Sequence, residues 1–547
     1  MLGKRPNNYT LFDVGNVWDL EMDRKSFYYQ LAVATKNGLF KDDDFAGLYH
    51  DWRGRPSVAP SQLAAMLVLQ THDGVSDEQA VSESAFDLRW AAVLGRHCGE
   101  PLCAKSTLQL FRSHLILHKE FSTILARSIK AAKDAGLIKG RAVTAALDTK
   151  PMLGRGAVQD TYNLLAQGMR QLARALAKDA KKPASDFMEE KGLGVLNAPS
   201  IKGTTVVDWN DRKARDSFLG DLVEKARGLL SMASSGSDNV RANAELLSQL
   251  LLQDIEEKPA PVAATNAAPP AAGHGAGDVA IRQETVPDRA PSATDPEQRH
   301  GRKSASKRFN GHKSSIVADT SSGIILSCEI LAGNAGDAEG ALEQVAEAEK
   351  NAGVRIVQTL GDCAYGGSET RAAFGDAKRS LFAKVPALAS GPFSKGAFQI
   401  DVINADVTLV TCPAGHTSDM LDESRDGRRT YFFDAFCRGC ELRAQCTTSK
   451  FGRSISVHPN EGELQKARQF QNTTDGRDVL KQRLAVENAL GRLSRYGIGQ
   501  ARYIGRAKSK FQLTIACTVA NLRRAWNYAQ NADIAGDPGV AATAGAA

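Results

Sequence analysis

Three acidic side chains stand where a folded chain can bring them together. Asp148 closes the apolar run RAVTAALD, Asp362 closes VRIVQTLGD, and Glu487 lies within KQRLAVENALGRL. Carboxylates at two strand ends and on a facing helix form one cluster of hard oxygen ligands, the set that suits Mg2+ or Mn2+. Two such ions, roughly 3.5–4 Å apart, can activate water or a 3′-hydroxyl and stabilise the leaving oxygen of an in-line displacement at phosphorus. Arg483 precedes Glu487 by one helical turn, so it can orient that carboxylate or touch a phosphate. Taken singly, an Asp at a strand end is usually a cap and an Arg/Glu pair is usually a solvated ion pair. The joint order of all four carries the reading.

A second constellation is Cys412, Cys437, Cys440 and Cys446, spaced C-x24-C-x2-C-x5-C. Cys437 and Cys440 have the turn spacing of a zinc knuckle, with Gly439 between them for the tight turn. Four thiolates make a closed structural Zn2+ site, with His416 as an alternative ligand. The remaining cysteines, Cys98, Cys103, Cys328, Cys363 and Cys517, have no partner in the sequence and read as small core residues.

The elements that must position these residues follow from periodicity. Residues 1–135 read as a helical domain: Ser61 is placed as an N-cap, and Ser76 with Gln79 fits a capping box. Residues 141–149 read as a buried strand, and Leu165, Met169, Leu172 and Leu176 mark one face of a helix. Further helices are expected at 217–232 and 238–256. Residues 258–298 are expected to form a flexible linker, because Ala and Pro dominate and large apolar residues are scarce. HKSSIVAD and GIILSCEILAG make a hairpin turning at Thr320–Gly323, followed by a helix, the strand ending at Asp362, and a long, broken helix from Glu461 through Glu487. The fold class is therefore α/β: an RNase H-like catalytic core over 136–530, with a helical insertion at 155–257 and a zinc-ribbon-like insertion at 378–458. An all-helical, DNA-binding amino-terminal domain precedes it, and a disordered tail occupies 533–547.

The blocks LDTKPMLGRGAVQDTYNLL, DPEQRHGRKSASKRFNGHKSSIVAD, GNAGDAEGALE, LGDCAYGGSETR and RLAVENALGRLSRYGIGQARYIGRAKSKFQLTIACTVANLRR resemble those of bacterial insertion-sequence transposases of the DDE type. GRPSVAPSQLAAMLVLQTHDGVSDEQAV resembles the amino-terminal block of the same family. The resemblance implies an enzyme that cuts the ends of a mobile element and transfers them into target DNA, with Asp148, Asp362 and Glu487 as its catalytic triad. The related Tyr-Arg-Glu-Lys signature places Arg and Glu on Arg483 and Glu487, but Leu480 stands where Tyr would be and Ser494 where Lys would be. Arg492 and Arg495 are the candidates to replace that lysine. The implied partners are double-stranded DNA, as terminal inverted repeats and target, and further copies of the chain for synapsis.

Charge distribution agrees with a DNA partner. The net charge of +7 is modest, but Asn488 to Ala532 holds no acidic residue and eight basic ones: Arg492, Arg495, Arg502, Arg506, Lys508, Lys510, Arg523 and Arg524. Of these, Arg495, Arg502, Arg506, Lys508 and Lys510 are expected to hold the phosphate backbone. Lys303 and Arg308 form a second group, and Arg53 with Arg55 a third. No apolar run suggests a signal peptide or a membrane span, so the expected location is cytoplasmic, at the nucleoid. Two other readings are an RNase H-like nuclease without strand transfer, and a DNA-binding regulator whose catalytic core has decayed.

Overall fold

The computed structural model describes the chain except residues 6–21, 51–53, 235, 258–278, 285, 305, 387, 389–390, 404–405, 420, 426 and 535–547. At its centre is a six-stranded sheet: β1 (Ala142–Leu153), β2 (Arg299–Arg302), β3 (Arg308–Asp319), β4 (Ile325–Ala332), β5 (Arg355–Gly361) and β6 (Ser380–Ala383). β1 pairs antiparallel with β3, which also pairs with β2 and β4, while β5 and β6 add in parallel on the other side of β1. A hairpin extended by an antiparallel strand and then by parallel strands is the RNase H-like arrangement. The parallel step from β4's side of the sheet to β5 needs a crossover, and the helix α7 (Ala341–Ala352) supplies it.

One helix joins the parts of the molecule. Arg506–Ile534, here α9, packs Leu513, Ala516, Cys517 and Ala520 into the core of the sheet. Its Phe511, Ile515, Val519 and Leu522 enter a second core formed by the amino-terminal helices, including α1 (Pro60–Asp73), α2 (Lys105–Leu117) and α3 (Phe121–Asp134). The buried Asn521 fixes the register: its side chain bonds both the amide and the carbonyl of Ile325 at 2.8 Å, and reaches Ser128 Oγ at 3.3 Å. The amino-terminal helices are thus seated on the central sheet through a shared spine. Within them, the Ser76–Gln79 capping box is present in both directions, whereas α1 begins at Pro60 with Ala59 as its cap. Pro fits the first helical position because its missing N–H has no partner there anyway, so Ser61 falls inside the helix instead of capping it.

The helical insertion contains α4 (Thr161–Asp179), α5 (Arg212–Ser231) and α6 (Asp238–Asp254), with its own apolar core. The expected linker is corrected over its second half. Residues 258–278 lie outside the described residues, but from Val279 the chain is packed, and Ser292, Asp295 and Gln298 are fully buried. Gln253 and Ala290 exchange two bonds of 3.0 Å, and Arg289 pairs with the buried Asp254 at 2.6 Å. A Cβ at Gly156 would lie 2.5 Å from Ser292 Oγ, so a bare backbone is what lets this polar segment close in. Low apolar content is misleading here because the segment is held by hydrogen bonds. The expected tail at 533–547 falls almost wholly outside the described residues, α9 continuing to Ile534.

Candidate active site

Asp148 lies inside β1, which continues to Leu153 instead of ending at the carboxylate. β1 and β5 run parallel with Ala146 opposite Leu360, so Asp148 and Asp362 each stand two residues further along neighbouring chains. A step of two keeps both side chains on one face, and neighbouring strands lie about 4.8 Å apart. Asp362 leaves β5 in extended backbone and caps the short turn Cys363–Tyr365, its Oδ1 accepting from the Ala364 amide at 2.8 Å. That turn sits close against β6: a Cβ at Gly366 would fall 2.1 Å from the Lys384 carbonyl oxygen.

Glu487 comes from α8 (Leu484–Leu493), which packs across β1 and β3. Arg483, the residue at the amino end of α8, ties the cluster together. Its Nη1 lies 3.4 Å from Asp148 Oδ2, and its Nη2 donates to Glu487 Oε1. Burial pushes the Asp148 carboxyl up to about 6; the Thr149 amide and Arg483 oppose this, while the charges of Asp362 and Glu487 add to it. The four residues that the sequence singled out are thus brought to one place.

Two neighbours were missed. The Tyr365 ring is almost fully buried, and its hydroxyl is pushed far up by burial and then by Asp148, Asp337 and Asp362. Lys150 follows Asp148 on the same face of β1, and its Nζ donates to Ser494 Oγ. An ammonium from β1 therefore stands at the position where the family signature has its lysine. The signal for it was present in the sequence, as Lys150 two residues after Asp148, but only the fold relates it to Ser494. Leu480, in the tyrosine position, is buried.

The donor set fits a divalent cation in its chemistry: hard oxygens only, with the Asp148 carboxyl pushed up to about 6 chiefly by burial, a cost that a bound cation would offset. Among the described residues no three His, Cys, Asp or Glu side chains form a ready-made cage. Arg483 lies between Asp148 and Glu487 and occupies an oxygen of each.

The cysteine region is built from two small three-stranded sheets. They close the long gap in the motif, because Cys412, Cys437, Cys440 and Cys446 line a single small cavity with His416. Burial pushes the Cys446 thiol up, Arg453 opposes it, and Cys437, Cys412 and Cys440 add to it. Cys437 Sγ also accepts from the Arg453 amide at 3.4 Å. These thiols are gathered but do not form a metal-holding group as they stand. Of the other cysteines, Cys103, Cys328 and Cys517 are buried, while Cys98 and Cys363 are exposed and so are not core residues.

The basic residues divide sharply. Arg502 donates to the Val75 carbonyl at 2.9 Å and lies 3.7 Å from Asp77. Arg506 is held by Glu297, and Lys510 by Glu329 at 2.6 Å with Glu347 at 3.9 Å. These carboxylates compete with DNA for the three side chains; those on Arg506 and Lys510 also tie α9 to its neighbours. Lys508, Arg495, Lys303, Arg308 and Arg55 are exposed, and Arg53 lies outside the described residues. No helix among the described residues is long and apolar enough to cross a membrane.

An RNase H-like sheet presenting two aspartates beside a glutamate-bearing helix defines a class of enzymes that move phosphodiester bonds through divalent metal. Comparison with known families narrows this. A transposase domain model matches residues 18–114, and two transposase DDE domain models match residues 279–383 and 411–526. Asp362 and Glu487 fall within the DDE matches, while Asp148 lies between matched stretches. No curated protein and no solved structure matches this chain. The chain belongs to the DDE transposases: it acts on DNA, cleaving and transferring strands with a divalent metal, Mg2+ or Mn2+.

Proposed function

We propose that Asp148, Asp362 and Glu487 are the residues that hold the catalytic metal, and that they cut the ends of an insertion sequence and join them to target DNA. The observation that carries this reading is the meeting of Asp148 and Glu487 on Arg483, with Asp362 beside Asp148 at the end of the neighbouring strand. Bound there, a divalent cation supplies Lewis acidity at the phosphorus and an activated water or 3′-hydroxyl. The chain supplies the rest. Asp148 gives its oxygens from within the sheet and Asp362 from the turn just past β5, where the Ala364 amide orients it. Arg483 keeps Asp148 and Glu487 from repelling each other, and is available to a phosphate oxygen once they are otherwise neutralised. Lys150, anchored on Ser494, adds positive charge in place of the signature lysine, where negative charge grows on the phosphoryl oxygens.

The same proposal assigns recognition of the terminal inverted repeats to the amino-terminal helices with Arg53 and Arg55. Lys508, Arg495, Lys303 and Arg308 follow the phosphate backbone, and two or more copies assemble to synapse both ends. Cys412, Cys437, Cys440 and Cys446 hold one structural Zn2+ after small rotations of their side chains. Four thiolates leave no open position, so that ion folds the insertion and takes no part in the chemistry. The test is cleavage of a plasmid carrying the element's two ends. Asp148→Asn, Asp362→Asn and Glu487→Gln should each abolish Mg2+-dependent cutting while end binding persists; substantial cutting by one of them removes that residue from the triad.

A further inference from the structure

With Arg502, Arg506 and Lys510 each beside a carboxylate of the fold, four arginines of the basic stretch remain, and they are gathered in one place. Arg492, Arg495, Arg523 and Arg524 line a cavity of about 220 Å3 together with Tyr496 and Tyr528. Among the described residues no Asp or Glu lines it. Two of the four are fixed on the hairpin turn between β3 and β4: Arg492 Nη2 donates to the Gly323 carbonyl at 2.5 Å, and Arg524 Nε to the Ser322 carbonyl at 2.8 Å. Arg492 Nε is buried without a partner. Burial lowers the pKa of its guanidinium, and Arg524 lowers it further. Guanidiniums stay charged in proteins, so such a group at close quarters is unfavourable until an anion joins it.

The position of the cavity says which anion. The turn Ser494–Tyr496 separates it from the active site: Ser494 meets Lys150 on one side, while Arg495 and Tyr496 line the cavity on the other. Arg495 lies eight residues beyond Glu487, roughly 12 Å along a helix at about 1.5 Å per residue. A DNA strand advances about 3.4 Å per nucleotide. We propose that the cavity is a phosphate site for the strand being cut, about three or four nucleotides from the reacting phosphodiester at that rise. Tyr496 and Tyr528 stand beside it to receive the adjoining sugar or base. The inference rests on the transposase reading of the active site, but concerns residues outside its carboxylates.

The test uses the full-length chain with Arg495 and Arg523 both changed to Ala, and a second variant with both changed to Lys. Both arginines are exposed, so folding should survive; an unchanged melting temperature checks this. Binding of a fluorescent duplex over a salt series should weaken for every sequence tried. Its log–log slope should flatten by about 0.9 for each phosphate no longer bound, while the Lys variant keeps most of the slope. Calorimetry with inorganic pyrophosphate distinguishes the source of the phosphate. Loss of pyrophosphate binding with an unaltered DNA slope would make this a site for free anions and overturn the DNA assignment. An unaltered slope with no pyrophosphate binding in the wild type would overturn the site entirely. Should wild-type protein show no salt-dependent DNA binding, the transposase reading itself would fall, a result distinct from both.

Discussion

Replacing Asp148 by Asn should abolish cleavage and, at the same time, stabilise the metal-free protein at neutral pH. The carboxyl is displaced from its ordinary 3.8 to about 6, chiefly by burial, with Asp362 and Glu487 adding to the shift. A group whose folded pKa is raised is favoured in the fold while protonated, and that advantage is lost as pH rises from 3.8 through about 6. Ionised Asp148 therefore costs the fold about 3 kcal/mol at neutral pH, at about 1.4 kcal/mol per pKa unit. Near pH 4.5 the same linkage leaves a cost of about 1 kcal/mol. The amide keeps the shape and removes this cost, so Asp148→Asn should melt several degrees higher than wild type at pH 7.5. The gain should shrink markedly at pH 4.5. Differential scanning calorimetry without divalent metal, at both pH values, reads the effect; Mg2+ should then raise the wild-type melting temperature and leave the variant unchanged. An Asn variant that melts lower than wild type at pH 7.5, or gains equally at both pH values, would refute the electrostatic argument.

Lys150→Ala should lower cleavage by about 100- to 1,000-fold, the range expected for a donor aimed at a developing oxyanion, and adding Ser494→Lys should restore part of it; no restoration would mean that the two positions are not equivalent. Arg112→Ala should destabilise the protein by about 3 kcal/mol, because it leaves the half-buried Asp77 without its bidentate partner at 2.8 and 3.0 Å, and should leave the salt dependence of DNA binding unchanged. Arg112 holds the Asp77 carboxyl well below the usual range despite its burial, so this stabilisation is full above about pH 4 and disappears as pH falls below it; urea unfolding at pH 7 and pH 3 checks the sign. Protein purified without chelators should carry close to one zinc per chain by elemental analysis, and Cys437→Ser should lose it, whereas metal-free protein with four freely reactive thiols at Cys412, Cys437, Cys440 and Cys446 would contradict the proposed site.

The placement of the candidate carboxylates was legible because it rests on local signals. Alternating and continuous apolar runs marked β1, β3, β4 and β5; Asp362 follows its run directly, while the run ending at Asp148 hid the continuation of β1 through the polar Thr149 and Lys150 to Leu153. The basic surface was legible only in part. Composition reports Arg502, Arg506 and Lys510 as free charge, because their partners Asp77, Glu297 and Glu329 lie hundreds of residues away in the sequence. The same blindness to distant polar pairing made 279–298 look like linker, although Asp295 and Gln298 are fully buried there. Lys150 illustrates the converse: a residue beside the site in sequence, whose role depends on Ser494 from the other end of the domain. Periodicity reports which face is apolar; it does not report which charge finds which.

The most direct measurement is a strand-transfer assay. Wild-type protein, Mg2+, a DNA fragment bearing the element's terminal repeat and a supercoiled target plasmid are combined, and the products are sequenced across the junctions. The proposed chemistry predicts covalent joining of the terminal 3′-hydroxyl to target DNA, absent without Mg2+ and absent in Asp362→Asn. Joining that persists in Asp362→Asn, or cleavage by wild type with no joined product under any divalent metal, would contradict it.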